Sequence, residues 1–405
     1  MEVDVLVVGA GPAGSTAARE LAGRGFQVLL LDRARFPRDN PCGGAVTLRG
    51  AELLPFDLSP VVEEVITGAH LRLRYGRSTT HDFDAPLAYL TQRSRLDEFL
   101  VEHALEAGVE FRDGPSAGLV SSVARLPDGS YEVAASGEVH RSRGLVAADG
   151  ANGVVAGLLG FEPAREKAVA LEANLPCPDG VPGWLRGRVA LQLGSMPGGY
   201  GWLFPKGDHI NLGVGGWKAI VGTRLRASLD GLCRAYGIDP GALVAIRGHH
   251  LPMLRPGAPL EAGGAALLGD AAGLVDPLSG DGIRPAIASG IAIAPAMEDY
   301  LTVCSDPSGA PGATASLAGY QRTVERELLP EIVASSGLTD IFHAWPAPFV
   351  TLVQRSHRFW RSMCHVLRGE RSLDGIVDSF GPLSYTLQPL ATLARRINTR
   401  RYGRR

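Results

Sequence analysis

An α/β fold is what this 405-residue sequence predicts, with a parallel βαβ sheet interrupted by an antiparallel sheet and followed by a helical C-terminal cap. Three observations predict it. Residues 3–8 and 27–32 are apolar runs on either side of a glycine turn and a small-residue segment, the pattern of a βαβ unit buried on both faces. Between about 165 and 260 the texture changes to short alternating segments separated by Gly and Pro. Beyond a Gly-, Pro- and Ser-rich stretch at 304–316, which reads as a linker, the chain is mainly helical in pattern.

Taken in order, a helix over about 12–24 joins the two buried strands. An amphipathic helix follows at 95–107, with Leu96, Phe99, Leu100, Ala104 and Leu105 on one face. An apolar strand at 144–149 ends in Asp149-Gly150. The antiparallel strands are expected at 168–175, 187–193, 201–204 and 209–214. Strand 265–268 returns to the first style and leads through Gly269-Asp270 into a helix from about 282. The first domain is therefore discontinuous, over 1–70, 90–165 and 262–300. Segments 71–89 and 166–261 form the inserted sheet domain, and 301–405 the helical region. An arginine-rich tail occupies 395–405.

The formal net charge of −2 argues against a nucleic-acid partner. The five cysteines are scattered and never form a CxxC pair, which suggests neither a disulfide framework nor a metal site and makes a reducing cytoplasm the default. No signal-peptide pattern and no run of about 18 apolar residues is expected to direct the chain out of the cytoplasm or through a membrane.

Gly9-Ala10-Gly11-Pro12-Ala13-Gly14 is a GxGxxG turn between strand and helix. Gly9 permits the turn, Gly11 lets backbone approach a pyrophosphate, and Gly14 lets the helix pack on the strand. Asp32 follows 18 residues later at the end of the second strand, placed to accept hydrogen bonds from an adenosine ribose. A second motif comprises Gly269-Asp270, Pro277 and Gly280-Asp281-Gly282-Ile283. Asp270 suits ribityl hydroxyls, and the glycines open a helix whose N-terminus can face a pyrophosphate or a flavin O2. Paired with the first turn, this second closure favours FAD over NAD.

Two further stretches carry chemistry. Cys42-Gly43-Gly44 combines a polarizable thiol with two glycines, read either as a reactive loop beside a cofactor or as a buried cysteine on an ordinary glycine loop. Tyr200, Trp202 and Phe204 alternate along one strand, followed by Pro205 and then by Gly213 and Gly215. Alternation puts the rings on one face and the glycines leave room beside them, whether as a cavity wall or as a core strand. His249-His250 reads as structural or surface, and Cys177, Cys233, Cys304 and Cys364 belong to no motif.

With these motifs in view, the chain resembles the geranylgeranyl reductase family, FAD-dependent oxidoreductases of the para-hydroxybenzoate hydroxylase-like fold. The likeness rests on the two glycine motifs, Arg93-Ser94-Arg95-Leu96-Asp97, Asp149-Gly150, the Cys42-Gly43-Gly44 loop and the Tyr200–Pro205…Gly213-Val214-Gly215 pattern. It implies a Rossmann-type FAD-binding domain, an inserted antiparallel substrate domain and a helical cap. It adds Arg33, Arg93, Ala117 and Asp149 to the cofactor-binding set, alongside Cys42 and Gly43. The Ser and Arg usual after the Asp-Gly pair are replaced by Gly153 and Ala156. The resemblance implies reduction of carbon–carbon double bonds in a polyprenyl or related hydrophobic substrate, with hydride from flavin N5 and a proton from Cys42, a tyrosine such as Tyr200, or water. Cys42 stands as proton donor, positioning group or redox thiol. NAD(P)H or a reduced ferredoxin is the expected reductant. The alternatives are an FAD-dependent monooxygenase or halogenase on the same fold, and a flavin-binding scaffold without turnover. The arginine tail has two readings, a solvated tail or contact with anionic lipid at the inner face of the membrane.

Overall fold

The structure, a computed structural model, describes residues 2–162, 166–253, 257–305, 316–373, 375 and 384–402. Most of the 304–316 linker and the last three residues of the arginine tail lie outside them.

A parallel sheet forms the base, and the apolar inner stretches of its central strands are covered on both faces. Glu2–Val8 lies at its centre, parallel to Val28–Asp32 on one side and to Glu138–Ala147 on the other. Glu110–Asp113 extends one edge and Ala265–Leu267 the other, both in parallel. Val5, Leu6, Val7, Leu29, Leu30 and Leu31 are fully buried. An antiparallel pair, Val120–Arg125 with Tyr131–Ala135, is appended to Glu138–Ala147. Helix Pro12–Ala22 covers one face and crosses helix Ile283–Ser305 at close range. A Cβ on Gly290 would come within 2.6 Å of the Ala13 carbonyl oxygen, so the crossing tolerates only glycine there.

The inserted sheet has seven strands in the order Val244–Met253, Glu166–Pro176, His209–Trp217, Gly201–Pro205, Arg188–Leu193, Gly68–Leu73 and Ser78–Asp82. It is antiparallel except at one place: Arg188–Leu193 runs parallel to Gly68–Leu73. The insertion thus begins at Gly68, before the expected 71, while Ala88–Thr91 belongs to a separate three-stranded sheet with Ala45–Thr47 and Val62–Ile66. Amphipathic helix Leu225–Ala235 packs on the insertion, its Leu229 and Leu232 fully buried.

Helices Ala318–Glu327, Leu329–Ala344, Pro346–Arg355, His357–Leu367 and Ser384–Tyr402 complete the chain. Glu331 ties this region to the base, accepting from Arg284 Nη1 at 2.9 Å and from Arg49. The tail is partly docked: Arg395 pairs with Asp340 at 2.9 Å and Arg401 Nη1 donates to the Ala344 carbonyl. No helix among the described residues is long and apolar enough to cross a membrane.

Candidate active site

A cavity of about 820 Å³ runs between the parallel sheet, the inserted sheet and the C-terminal helices. Gly9, Gly11, Pro12, Ala13, Asp32 and Arg33 line one end. Gly9 has φ +100, and a Cβ there would sit 2.3 Å from the Ala148 carbonyl oxygen. A Cβ on Gly14 would overlap the Gly9 carbonyl oxygen at 1.8 Å, so Gly14 serves helix–strand packing behind the cavity wall. At Gly11 the corresponding position is open, 3.6 Å from Arg38 and 3.8 Å from Arg93. Backbone N–H groups, a helix start and two cations therefore surround one spot, a donor set that fits a pyrophosphate.

Asp32 is oriented by its own turn. Its Oδ2 accepts from Ala10 N at 2.8 Å and its Oδ1 from Ala34 N at 2.9 Å. Each oxygen keeps a further lone pair for ribose hydroxyls. Arg93 meets Asp97 in a bidentate pair, Nε–Oδ1 and Nη2–Oδ2 both at 2.8 Å. Arg38 Nη1 reaches the same carboxylate at 2.9 Å, and its Nη2 lies 3.5 Å from Asp32. Burial alone would discourage the Arg93 charge, but Asp97 outweighs it and holds the guanidinium protonated.

Asp149, Asp270, Pro277, Gly280, Gly282 and Ile283 line the middle of the cavity. Asp149 Oδ2 accepts from Val154 N and Val155 N, and a Cβ on Gly153 would fall 2.2 Å from the Asp149 carboxyl carbon. Glycine at 153 is what lets that carboxylate fold back onto its own loop, where burial raises its pKa. Asp281 caps the next helix through Ile283 N at 2.9 Å. Burial pushes its carboxyl above the usual range, against the helix-start hydrogen bond from Arg284.

Cys42, Gly43, Gly44, Tyr200, Trp202, Phe204 and Gly215 meet beyond this point. A Cβ on Gly43 would lie 2.7 Å from Phe204 Cε2, and one on Gly44 2.1 Å from the Thr91 carbonyl oxygen. Both glycines are thus demanded by contact with neighbouring protein, in addition to any approach to a cofactor. Burial raises the Cys42 thiol pKa, partly opposed by Arg93. Tyr200 donates to the Ser279 carbonyl oxygen. Burial, with Asp276 and Asp281 nearby, raises its hydroxyl pKa well above the ordinary tyrosine value. Both groups therefore hold their protons at neutral pH. Trp202 Nε1 donates to Asn211 Oδ1 at 2.9 Å. The indole occupies the space a side chain at Gly213 would need, since a Cβ there would be 2.3 Å from Trp202 Cζ2.

Five expected site residues do not line the cavity: Gly14, Ala117, Pro205, Gly213 and Gly269. Gly14 and Gly213 act from behind through packing, and Gly269 N donates to Ser289 Oγ at 3.1 Å. Pro205 ends the aromatic strand. For Ala117 the correction is one of register. The turn closed by Gly118 N to Gly114 O brings Gly118, Leu119 and Val120 to the wall, and a Cβ at Gly118 would overlap the Asp32 carbonyl oxygen at 2.0 Å.

Other residues reach the cavity without having been singled out. Arg38 lines it and belongs to no motif recognised in the sequence. His249, read as structural or surface, lies on the wall with its Nε2 3.6 Å from Asp270 Oδ2. Of the cysteines at described positions, Cys42 alone lines the cavity.

Residues 2–176 match a family described as an FAD binding domain. A menaquinone reductase of Mycobacterium tuberculosis is 33% identical over 311 residues, covering 71% of this chain and 74% of that protein. A geranylgeranyl diphosphate reductase of Rhodobacter capsulatus is 32% identical, covering 72% and 73%. Among solved structures, a geranylgeranyl bacteriochlorophyll reductase-like protein of Thermoplasma acidophilum superposes with a TM-score of 0.73 at 22% identity, covering 96% of this chain and 99% of that one. This last likeness is one of fold.

Proposed function

Since the chain belongs to the geranylgeranyl reductase family of FAD-dependent oxidoreductases, we infer that it reduces carbon–carbon double bonds in an isoprenoid or related hydrophobic chain. The observation that carries this reading is the continuity of one cavity. It runs from the two glycine-lined helix starts, past Cys42 and the aromatic strand, into an apolar arm walled by Leu71, Leu87, Val189, Leu191, Trp360 and Met363. Such an arm suits a flexible apolar chain and offers nothing to orient a polar one. Helix His357–Leu367 closes it, with Trp360 Nε1 donating to the Asp82 carbonyl oxygen at 3.1 Å.

Reduced FAD, when bound, supplies the hydride. The protein's part is to hold the alkene, exclude water and deliver a proton to the other carbon. Gly9, Gly11, Asp32, Arg93, Asp270, Gly280 and Gly282 are the residues we assign to holding the cofactor. Tyr200, Trp202 and Phe204 hold the alkene and face developing positive charge with their rings. The Cys42 thiol and the Tyr200 hydroxyl, both kept protonated by burial, are the candidate proton donors. We propose NAD(P)H or a reduced ferredoxin as the electron donor; with no second GxGxxG turn in the sequence to build a separate NAD(P)H site, a nicotinamide donor would bind transiently over the flavin. Arg396 and Arg400 are exposed on the last helix and would meet anionic lipid where a membrane-borne substrate is collected.

The test is product analysis. Anaerobically reduced protein is incubated with geranylgeranyl lipids and prenylquinones. A mass gain of about two units per reduced bond is expected, as hydride and proton add across the alkene. An oxygenated or halogenated product formed only with oxygen overturns the reading. Cys42→Ser, which keeps a weaker donor, is expected to slow turnover about tenfold. An unchanged rate removes Cys42 from the proton path and leaves Tyr200 or water.

A further inference from the structure

Lys206 directly follows the aromatic strand and is only 2% exposed. A buried lysine needs partners for its ammonium. It has two at hydrogen-bond distance, the carbonyl oxygens of Gly43 and Thr91, both 2.7 Å from Nζ. Gly44 is the crossing point of the same network. Thr91 N donates to the Gly44 carbonyl at 2.8 Å, Thr91 Oγ1 at 3.0 Å, and a Cβ on Gly44 would lie 3.0 Å from Lys206 Nζ. On the other side, Cys42 N donates to Glu172 Oε1 at 3.0 Å and Gly44 N to Cys42 Sγ at 3.3 Å. Every residue of the loop is therefore tied to a neighbouring element, and two of those ties are to charged groups, the Lys206 ammonium and the Glu172 carboxylate.

We propose that Lys206 is the positioning residue of this loop, its ammonium joining the Gly43 and Thr91 carbonyls so that the Cys42 thiol and the Trp202–Phe204 wall form one rigid unit. The aromatic strand and the clamp are consecutive in the chain. Any shift of Lys206 moves Phe204, whose ring already presses on Gly43. A charged donor makes the stronger bond to a carbonyl, and the ammonium also adds positive charge beside the thiol.

Protonation of Lys206 governs the clamp. Burial lowers its pKa to about 8, opposed by the Cys42 sulfur, neutral while it keeps its proton, and by the Glu172 and Glu63 carboxylates that face it. Glu63 accepts from Gly207 N at 3.3 Å and Glu172 from the Cys42 amide. As pH rises through about 8 the ammonium loses its proton, the bonds to the two carbonyls weaken and turnover falls. Stability moves the other way. Between about 8 and the ordinary lysine value of 10.5 the unfolded chain still binds a proton the folded one has released, so folding is favoured by rising pH. A loss of turnover without loss of thermal stability is the signature of the clamp.

The turnover part of this inference rests on the reductase reading; the exchange part does not. FAD-loaded wild type, Lys206→Met and Lys206→Gln are compared by amide hydrogen exchange read by mass spectrometry. Lys206→Met is expected to accelerate exchange in a peptide covering 42–47 about tenfold, because two carbonyls lose their donor, with no change at Val28–Asp32. Lys206→Gln falls between. In turnover, kcat is expected to fall about tenfold in Lys206→Met with KM within about twofold, and the alkaline fall near pH 8 expected of wild type to be absent. Unaltered exchange at 42–47, or an alkaline fall that persists in Lys206→Met, overturns the clamp even if the isoprenoid is reduced. If neither variant folds, a wild-type kcat that is flat between pH 7 and 9.5 overturns it, and one that falls near 8 while the melting temperature holds supports it.

Discussion

Asp97→Ala is expected to remove about 3 to 5 kcal/mol of stability and to abolish retention of FAD. Asp97 is fully buried and is the shared acceptor of two guanidinium groups. Arg93 meets it through both oxygens and Arg38 through Oδ2. Arg93 is itself only 8% exposed, so removing the carboxylate leaves a buried cation with its principal counter-charge gone. Breaking one partner of a buried ion pair is far costlier than replacing the pair. The same two arginines flank the open position above Gly11, so their displacement also disturbs the proposed phosphate seat. Chemical denaturation of the apoprotein gives the stability term, and the flavin content of purified protein gives the second. A stability loss under about 1 kcal/mol, with FAD retained, contradicts this account of the network.

Gly213→Leu is expected to slow turnover on the order of 100-fold, or about 2.7 kcal/mol, while leaving FAD content unchanged. The glycine is the seat of the Trp202 indole, whose Cζ2 would be 2.3 Å from a new Cβ. The backbone at that point cannot retreat, because His209–Trp217 is paired on both sides, with Glu166–Pro176 and with Gly201–Pro205. The ring must give way. It would lose the bond from Nε1 to Asn211 and intrude on the space where the alkene has to lie. The glycines assigned to the cofactor belong to other elements and are untouched. Single-turnover rates measured on protein with full flavin content separate the two effects. A rate within about threefold of wild type means that the aromatic strand does not bound the reacting space.

What could be read in the sequence follows a physical rule. The βαβ unit, the second glycine closure and the aromatic alternation are local patterns, each set by a handful of consecutive residues, and their positions agree with the structure to within one or two residues. Pairings over long separations were not readable. Gly68–Leu73 contains His and two arginines within or beside it, has little alternation, and finds its partner Arg188–Leu193 some 120 residues later in an unexpected parallel sense. The short strand Ala45–Thr47 was missed for the same reason, being stabilised by Ala88–Thr91 and not by its own propensity.

Within the site, residue types with a chemical motive were visible and their supports were not. Lys206 looks like any lysine in a turn until the carbonyls of Gly43 and Thr91 are seen around it. Arg38 carries no motif, yet it bridges Asp32 and Asp97. His249 sits in a dipeptide that reads as surface, but its strand runs along the cavity with His249 beside Asp270. Gly153 and Ala156 depart from the family pattern, and the structure explains the first through the Asp149 carboxylate folded onto it. Nothing in the structure explains the second.

The central claim is that two glycine-lined helix starts hold one FAD against an aromatic-walled cavity in which an isoprenoid alkene is reduced. The most direct test is to photoreduce the purified FAD-loaded protein without oxygen, add a geranylgeranyl substrate and follow the flavin absorbance. The account predicts reoxidation at a rate set by substrate, with one bond saturated for each flavin reoxidised. A flavin that stays reduced through every isoprenoid offered, and returns to the oxidised form only when oxygen is admitted, would contradict it.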